Sequence, residues 1–373
     1  MKSVLRYLYK SILILLFAVL LLLAAGFFAV RWGWTNVAGE EDFNSAAYNE
    51  IAVTAPVAEF ISPGLPENLS IYGEHEQLNW CRLGAAAEAS PYDAAGMLQA
   101  YLFSKSEELL KRMLLALELR LGQGSAFSVA LSNCRNEVGE WNEVRLVEVL
   151  NQTTTNSAYT WQNSEHWQII KEAIIKDQDK IERAANATGV QPRLLVSVAI
   201  VEQLRLYYTQ REFYEKFFKP LKILANANKM AWGVMSIKEK MAIQTEQQSI
   251  NRDSLFYPGD PYADLLKFDK NTDEAKERYR RLTDEKDHYY SYLYGAVIIK
   301  QLQEQWRRAG YDLQYRPEII ATLFNIGFNH SQPKANPSVG GSTLDINGEK
   351  YFFGSLAYEF YYSGELAEEF PFK

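Results

Sequence analysis

The chain has 373 residues, 47% of them hydrophobic and 13% aromatic, which is ample for one or two packed domains. A formal net charge of −7, with no basic run beyond the extreme N-terminus, argues against a nucleic-acid partner.

Ser11 to Val30 is an uncharged, almost wholly apolar run, about 30 Å long as a helix and so about one bilayer core. Lys2, Arg6 and Lys10 precede it, whereas Arg31 is soon followed by Glu40, Glu41 and Asp42. This bias predicts a single-pass anchor in the inner (cytoplasmic) membrane, with residues 1–10 a cytoplasmic tail and 11–30 the transmembrane helix. The bulk of the chain then lies in the periplasm or other extracytoplasmic space. A cleaved signal peptide has a shorter apolar core, and the weak cleavage site Leu23-Ala24-Ala25-Gly26 is buried within the run, so the anchor reads as retained.

Residues 31–60 read as a tether, with Gly39 and Pro56 and little periodicity. Residues 61–150 read as a helical module, either a spacer or a surface for an envelope protein partner. Within it, Ser90-Pro91-Tyr92-Asp93 has the form of a capping box, and the apolar pattern to Leu121 predicts one long helix or two abutting ones. Ala126 to Leu150 carries a second helical pattern. Cys81 and Cys134 both fall on the exported side, as one disulfide or as two buried thiols. The polar cluster Asn151 to Ser157 marks a boundary. A further amphipathic helix runs from Glu165 to Ala187 and stops at Gly189.

Pro192 then opens a helix to Tyr208. Leu195, Val198, Ala199 and Leu206 share one face with Glu202, which puts this carboxylate inside an apolar stripe. Such a group is either a structural glutamate paired with an arginine such as Arg193 or Arg205, or a carboxylic acid kept proton-loaded by desolvation. An acid of the second kind is what protonation of a glycosidic oxygen requires.

Four short motifs follow one another in order: Gly189-Val190-Gln191-Pro192-Arg193-Leu194-Leu195 leading to Glu202, Gly233-Val234-Met235-Ser236-Ile237, Gly295-Ala296-Val297-Ile298-Ile299, and Ala321-Thr322-Leu323-Phe324-Asn325-Ile326-Gly327. From residue 189 to about 364 this order resembles the lysozyme-like lytic transglycosylases, which cleave the glycan strands of peptidoglycan. The resemblance implies that Glu202 is the catalytic acid and base, that Gly233, Met235, Ser236, Phe324 and Asn325 line or support the glycan cleft, and that one tyrosine among Tyr358, Tyr361 and Tyr362, with Tyr358 taken as the candidate, matches the family's cleft tyrosine. It implies a mainly α, lysozyme-like fold for residues 160–373; no cofactor and no metal is expected. Departures from the family are Gln203 in place of a serine, Ser236 in place of a glutamine and Phe324 in place of a tyrosine. Two insertions, Tyr207 to Met230 and about Gln244 to His288, also depart from it, and all of these bear on substrate choice and activity.

Thr343 to Phe352, with Asn347-Gly348 at its centre, predicts a small β-hairpin beside the last motif. Asp269 to Asp273 begins like a calcium loop, but Glu274 and Arg280 stand where a glycine and a glutamate are needed. His75, His166, His288 and His330 have no zinc-ligand spacing. Three functions compete: a membrane-anchored lytic transglycosylase, a hydrolytic lysozyme using Glu212 or Glu215 as second carboxylate, and a non-catalytic lysozyme-like scaffold that binds peptidoglycan or an envelope protein.

Overall fold

A computed structural model describes residues 38–41, 74–134, 141–150, 156–164, 166–208 and 231–372. The expected anchor at 11–30, nearly all of the tether, and Glu212 and Glu215 lie outside these residues. No helix among the described residues is long and apolar enough to cross a membrane.

The described chain is mainly helical. After a short strand β1 (Ala38–Glu41), five helices occupy the region read as a module: α1 (Glu74–Ala89), α2 (Pro91–Ser104), α3 (Glu107–Leu121), α4 (Ala126–Asn133) and α5 (Glu143–Leu150). The pattern from 90 to 121 resolves into two helices because Lys105 adopts a left-handed φ of 51° and Ser106 caps the second, its hydroxyl accepting the Leu109 N–H. Ser90 does not cap α2 as the capping box predicts. Its hydroxyl donates to Asp93 Oδ2 at 2.6 Å, and Asp93 in turn accepts from the Ser157 hydroxyl and the Ala158 N–H. A local cap is thereby replaced by a tertiary tie across the polar stretch. Cys81 and Cys134 form a disulfide joining α1 to the end of α4.

The pattern from 165 to 187 is likewise two helices, α6 (Trp167–Lys176) and α7 (Gln178–Thr188), and α7 ends at Gly189 with φ 69°. Next come α8 (Pro192–Tyr208), the two-residue strands β2 (Ala231–Trp232) and β3 (Ile237–Lys238), α9 (Glu239–Ile250), α10 (Glu274–Thr283), α11 (Tyr289–Arg308) and α12 (Pro317–Ile326). The predicted hairpin is present as β4 (Val339–Ile346) and β5 (Glu349–Phe352), antiparallel with Thr343 opposite Phe352 and Ile346 opposite Glu349. Asn347 and Gly348 both have positive φ, 54° and 87°, as a type I′ turn needs. Helix α13 (Phe353–Tyr362) closes the fold.

Helix α8 is its axis. Every residue from Pro192 to Glu202 is buried, so the helix is enclosed on all sides for three turns rather than presenting one stripe. Helices α6, α7, α11, α12 and α13 and strand β4 pack around it. One apolar core runs without a break from Trp80 to Phe370, so the polar cluster in the sequence at 151–157 does not mark a boundary between two cores.

Candidate active site

Burying the first turns of α8 buries a cation too. Arg193 is fully enclosed, and its guanidinium donates to three main-chain carbonyls: Tyr361 at 2.9 Å, Phe370 at 3.1 Å and Phe360 at 3.2 Å. It also lies 4.1 Å from the centre of the Phe372 ring. Burial lowers its pKa to about 10. Arg193 is therefore the clamp that fixes the C-terminal segment to the start of α8, and Glu202 has a different partner.

Glu202 is 3% exposed, about two and a half turns further along α8. Leu195, Val198 and Ala199 on the same face are inaccessible or nearly so, as their spacing predicts, while Leu206 is only half-buried. Arg205, one turn on, donates to Glu202 Oε2 through Nη2 at 2.5 Å and Nε at 3.1 Å. Both bonds fall on the same oxygen. Of the two arginines the sequence offers, the nearer one forms the pair.

The neighbouring Gln203 joins this helix to the second motif: its Nε2 donates to the Val234 carbonyl at 2.5 Å. The motif is a tight turn closed by the pairing of Trp232 with Ile237, with Ser236 N donating to Gly233 O at 3.1 Å. Gly233 has φ 69°, and a Cβ there would lie 2.2 Å from the Leu282 carbonyl oxygen, so the turn requires glycine for conformation and for space. Ser236 takes a left-handed φ of 49° without that freedom, a costly conformation for a non-glycine residue. Met235 is fully buried; its N–H donates to Ser291 Oγ at 3.3 Å, and its methyl group fills the space left by Gly295, where a Cβ would lie 2.6 Å from Cε. The first three motifs thus meet in space.

The fourth lies on α12 against α8. Asn325 Oδ1 accepts from both the N–H and the hydroxyl of Ser342, each at 2.8 Å, which fastens β4 to the end of α12. Its acceptor oxygen is therefore committed to the hairpin. One turn earlier, Thr322 Oγ1 accepts from Gly340 N at 3.0 Å in the same seam. Phe324 and Tyr358 are buried, and Tyr358 packs on Tyr362 with ring centroids 4.8 Å apart. Met235, Phe324 and Tyr358 are thus interior side chains rather than walls presented to a sugar. Ser291 and Ser342 are connecting residues that no motif identified, because each acts through a partner distant in sequence, and Gln203, marked in the sequence only as a departure from the family's serine, is a third.

Two other titratable groups of residues stand out. At the α6–α7 junction, Asp177 meets His288 Nδ1 at 2.5 Å, Lys180 Nζ at 3.1 Å and the Tyr292 hydroxyl at 3.2 Å. Burial pushes this carboxyl up, but the hydrogen bonds and charges of His288 and Lys180 outweigh it, and its pKa is lowered. At the other group, Arg120 of α3 reaches Glu349 of β5, Thr160 at 2.7 Å and Glu359 of α13 at 3.7 Å. Desolvation dominates at Glu359, raising its pKa to about 8, although Arg120 and the Trp161 indole N–H at 3.1 Å favour the charged form. At Glu349 the bonds from Arg120 and Thr160 exceed the effect of burial, and its pKa is lowered. No three His, Cys, Asp or Glu among the described residues are placed to hold a metal ion. Set against protein-family models, curated proteins and solved structures, the chain matches none of them.

Proposed function

We propose that this chain is a membrane-anchored peptidoglycan lytic transglycosylase with Glu202 as its single acid and base. The observation that carries the reading is the Gln203–Val234 bond, which sets the helix of a buried glutamate against the glycine turn that follows it in the family's motif order. In this mechanism Glu202 protonates the leaving glycosidic oxygen. It then takes the proton of the sugar's own C6 hydroxyl as that oxygen closes the 1,6-anhydro ring, so no water enters the bond-forming step. The Glu202–Arg205 pair opens as the glycan binds, freeing Oε2 to carry the proton. The disulfide is in keeping with an oxidising space outside the cytoplasm.

Digestion of purified sacculi with the full chain, read by mass spectrometry of the muropeptides, tests this. Anhydro ends are expected from the wild type and not from Glu202→Gln. Their absence from the wild-type digest, or their persistence in the variant, would falsify the proposal, and reducing ends instead would point to a hydrolase. The ion pair itself favours a second reading. A carboxylate held by a guanidinium donates no proton, and a silent lysozyme-like scaffold would keep such a pair closed. Sacculus binding that Glu202→Gln leaves intact, with no turnover by either protein, is its signature.

A further inference from the structure

The first turn of α11 is held from two sides. His288, the residue before the helix, and Tyr292, one turn later, both reach Asp177 at the α6–α7 junction, the imidazole Nδ1 at 2.5 Å and the hydroxyl donating at 3.2 Å. Between them, Ser291 Oγ accepts the Met235 N–H at 3.3 Å. The glycine turn also presses on this corner: a Cβ on Gly233 would lie 2.6 Å from Ser291 Oγ and 2.2 Å from the Leu282 carbonyl oxygen. A single helical turn therefore joins Asp177 to the loop that Gln203 ties to α8.

The charges around the imidazole decide how it answers to pH. From α7, Asp177 faces it, and Lys180 shares that carboxylate at 3.1 Å while also reaching the exposed Asp179 at 3.3 Å. From the loop before α11, Asp284 lies within the field of the ring; it accepts the N–H groups of Lys286 and Asp287 and sits 3.7 Å from Arg280. In the same loop Asp287 accepts the Tyr289 N–H at 3.0 Å, and Glu285 and Lys286 are exposed. Arg183 of α7 lies over the Tyr289 ring, 4.2 Å from its centre. From α11 itself comes the Tyr292 hydroxyl. Burial opposes the charge on Asp177, but the bonds and charges of His288 and Lys180 hold its pKa below the ordinary carboxylate value. Asp177 therefore stays ionised from about pH 5 upward, and an imidazole is the kind of group whose charge changes between about pH 5 and 8. The His288 side chain is 30% exposed, so protons reach it from solvent. A neutral ring still donates from Nδ1. Rising pH thus removes the charge of the bond rather than the bond, and charge-assisted bonds are about twice as strong as neutral ones.

We propose that Asp177 and His288 form a pH-responsive clasp on the glycine turn. With the imidazole protonated the start of α11 is held fast; as the ring loses its proton, that end of the helix and the turn at 233–237 open more readily. The clasp acts whether or not Glu202 cleaves glycan. Amide hydrogen exchange of the full chain in uncharged detergent, read by mass spectrometry and corrected for the intrinsic pH dependence of exchange, tests it. Peptides covering 233–237 and 288–292 are expected to lose protection at least about fivefold between about pH 5.5 and 8, while those covering the buried part of α8 do not. His288→Gln, which keeps a neutral donor, should show the weaker protection at both ends of that range, and Asp177→Asn should likewise abolish the step. Glu359→Gln and Glu202→Gln should retain it, which separates the clasp from the junction on Arg120 and from the fate of the glycan-cleavage proposal. Protection at these peptides that does not change with pH, a loss of equal size throughout the chain, or a step that survives in either clasp variant overturns the proposal.

Discussion

Glu202 holds two roles that exclude one another at any instant, ion-pair partner and proton donor. The choice of variant in the activity assay therefore matters. Glu202→Gln leaves an amide oxygen for Arg205 and should cost about 1 kcal/mol in denaturant unfolding, whereas Glu202→Leu removes that acceptor altogether and should cost more, about 2 kcal/mol. Equal costs would mean that the pair contributes nothing to the fold. At Gly233 the expected effect is steric: Gly233→Ala must accommodate a Cβ 2.2 Å from a carbonyl oxygen at positive φ, and should lose about 2 kcal/mol or more. A stability close to wild type would show that the turn can relax. The burial of Glu202 was legible in the spacing of Leu195, Val198 and Ala199, because a helix repeats locally. The Gln203 contact was not, since its partner is 31 positions away and nothing in the intervening sequence marks it.

Among elements, the junction of α3, β5 and α13 on Arg120 gives stability a signed dependence on pH. Glu359, raised in the folded state to about 8, binds a proton that the unfolded chain has already lost, so its contribution is full at low pH and disappears as pH rises toward about 8. Glu349, lowered in the folded state, acts in the opposite sense: its contribution is present above the ordinary carboxylate value and is lost in acid. Thermal midpoints should therefore fall between pH 5 and about 8, and Glu359→Gln should flatten that slope while leaving the acid limb. An unchanged slope in the variant would remove Glu359 from the account. The disulfide is an entropic counterpart. It closes a 53-residue separation, for which chain entropy suggests about 4 kcal/mol, and the double variant Cys81→Ala/Cys134→Ala should show a loss of that order in denaturant. The cysteines' presence was plain in the sequence and their pairing was not, because it depends on how α1 and α4 pack. The hairpin was legible for the opposite reason: Asn347-Gly348 encodes its own turn. The break at Lys105 was hidden, since lysine rarely adopts positive φ.

At the scale of the whole molecule, the continuous core from Trp80 to Phe370 joins the helical module and the helices around α8 into a single folding body. Unfolding in denaturant should be a single transition, coincident by tryptophan fluorescence and circular dichroism; two separated transitions would show that the module folds alone. The apolar run at 11–30 predicts that protease added to spheroplasts degrades the bulk of the chain and spares a small N-terminal remnant; protection of the whole chain would place it on the other side. One further consequence comes from Arg193, whose three bonds end on carbonyls at 360, 361 and 370. The central helix cannot settle fully until residue 370 is in place, because until then the buried guanidinium lacks one of its three carbonyls. Loss of residues 360–373, which takes away all three carbonyls, should therefore send the product to quality-control proteases rather than yield a shorter working protein.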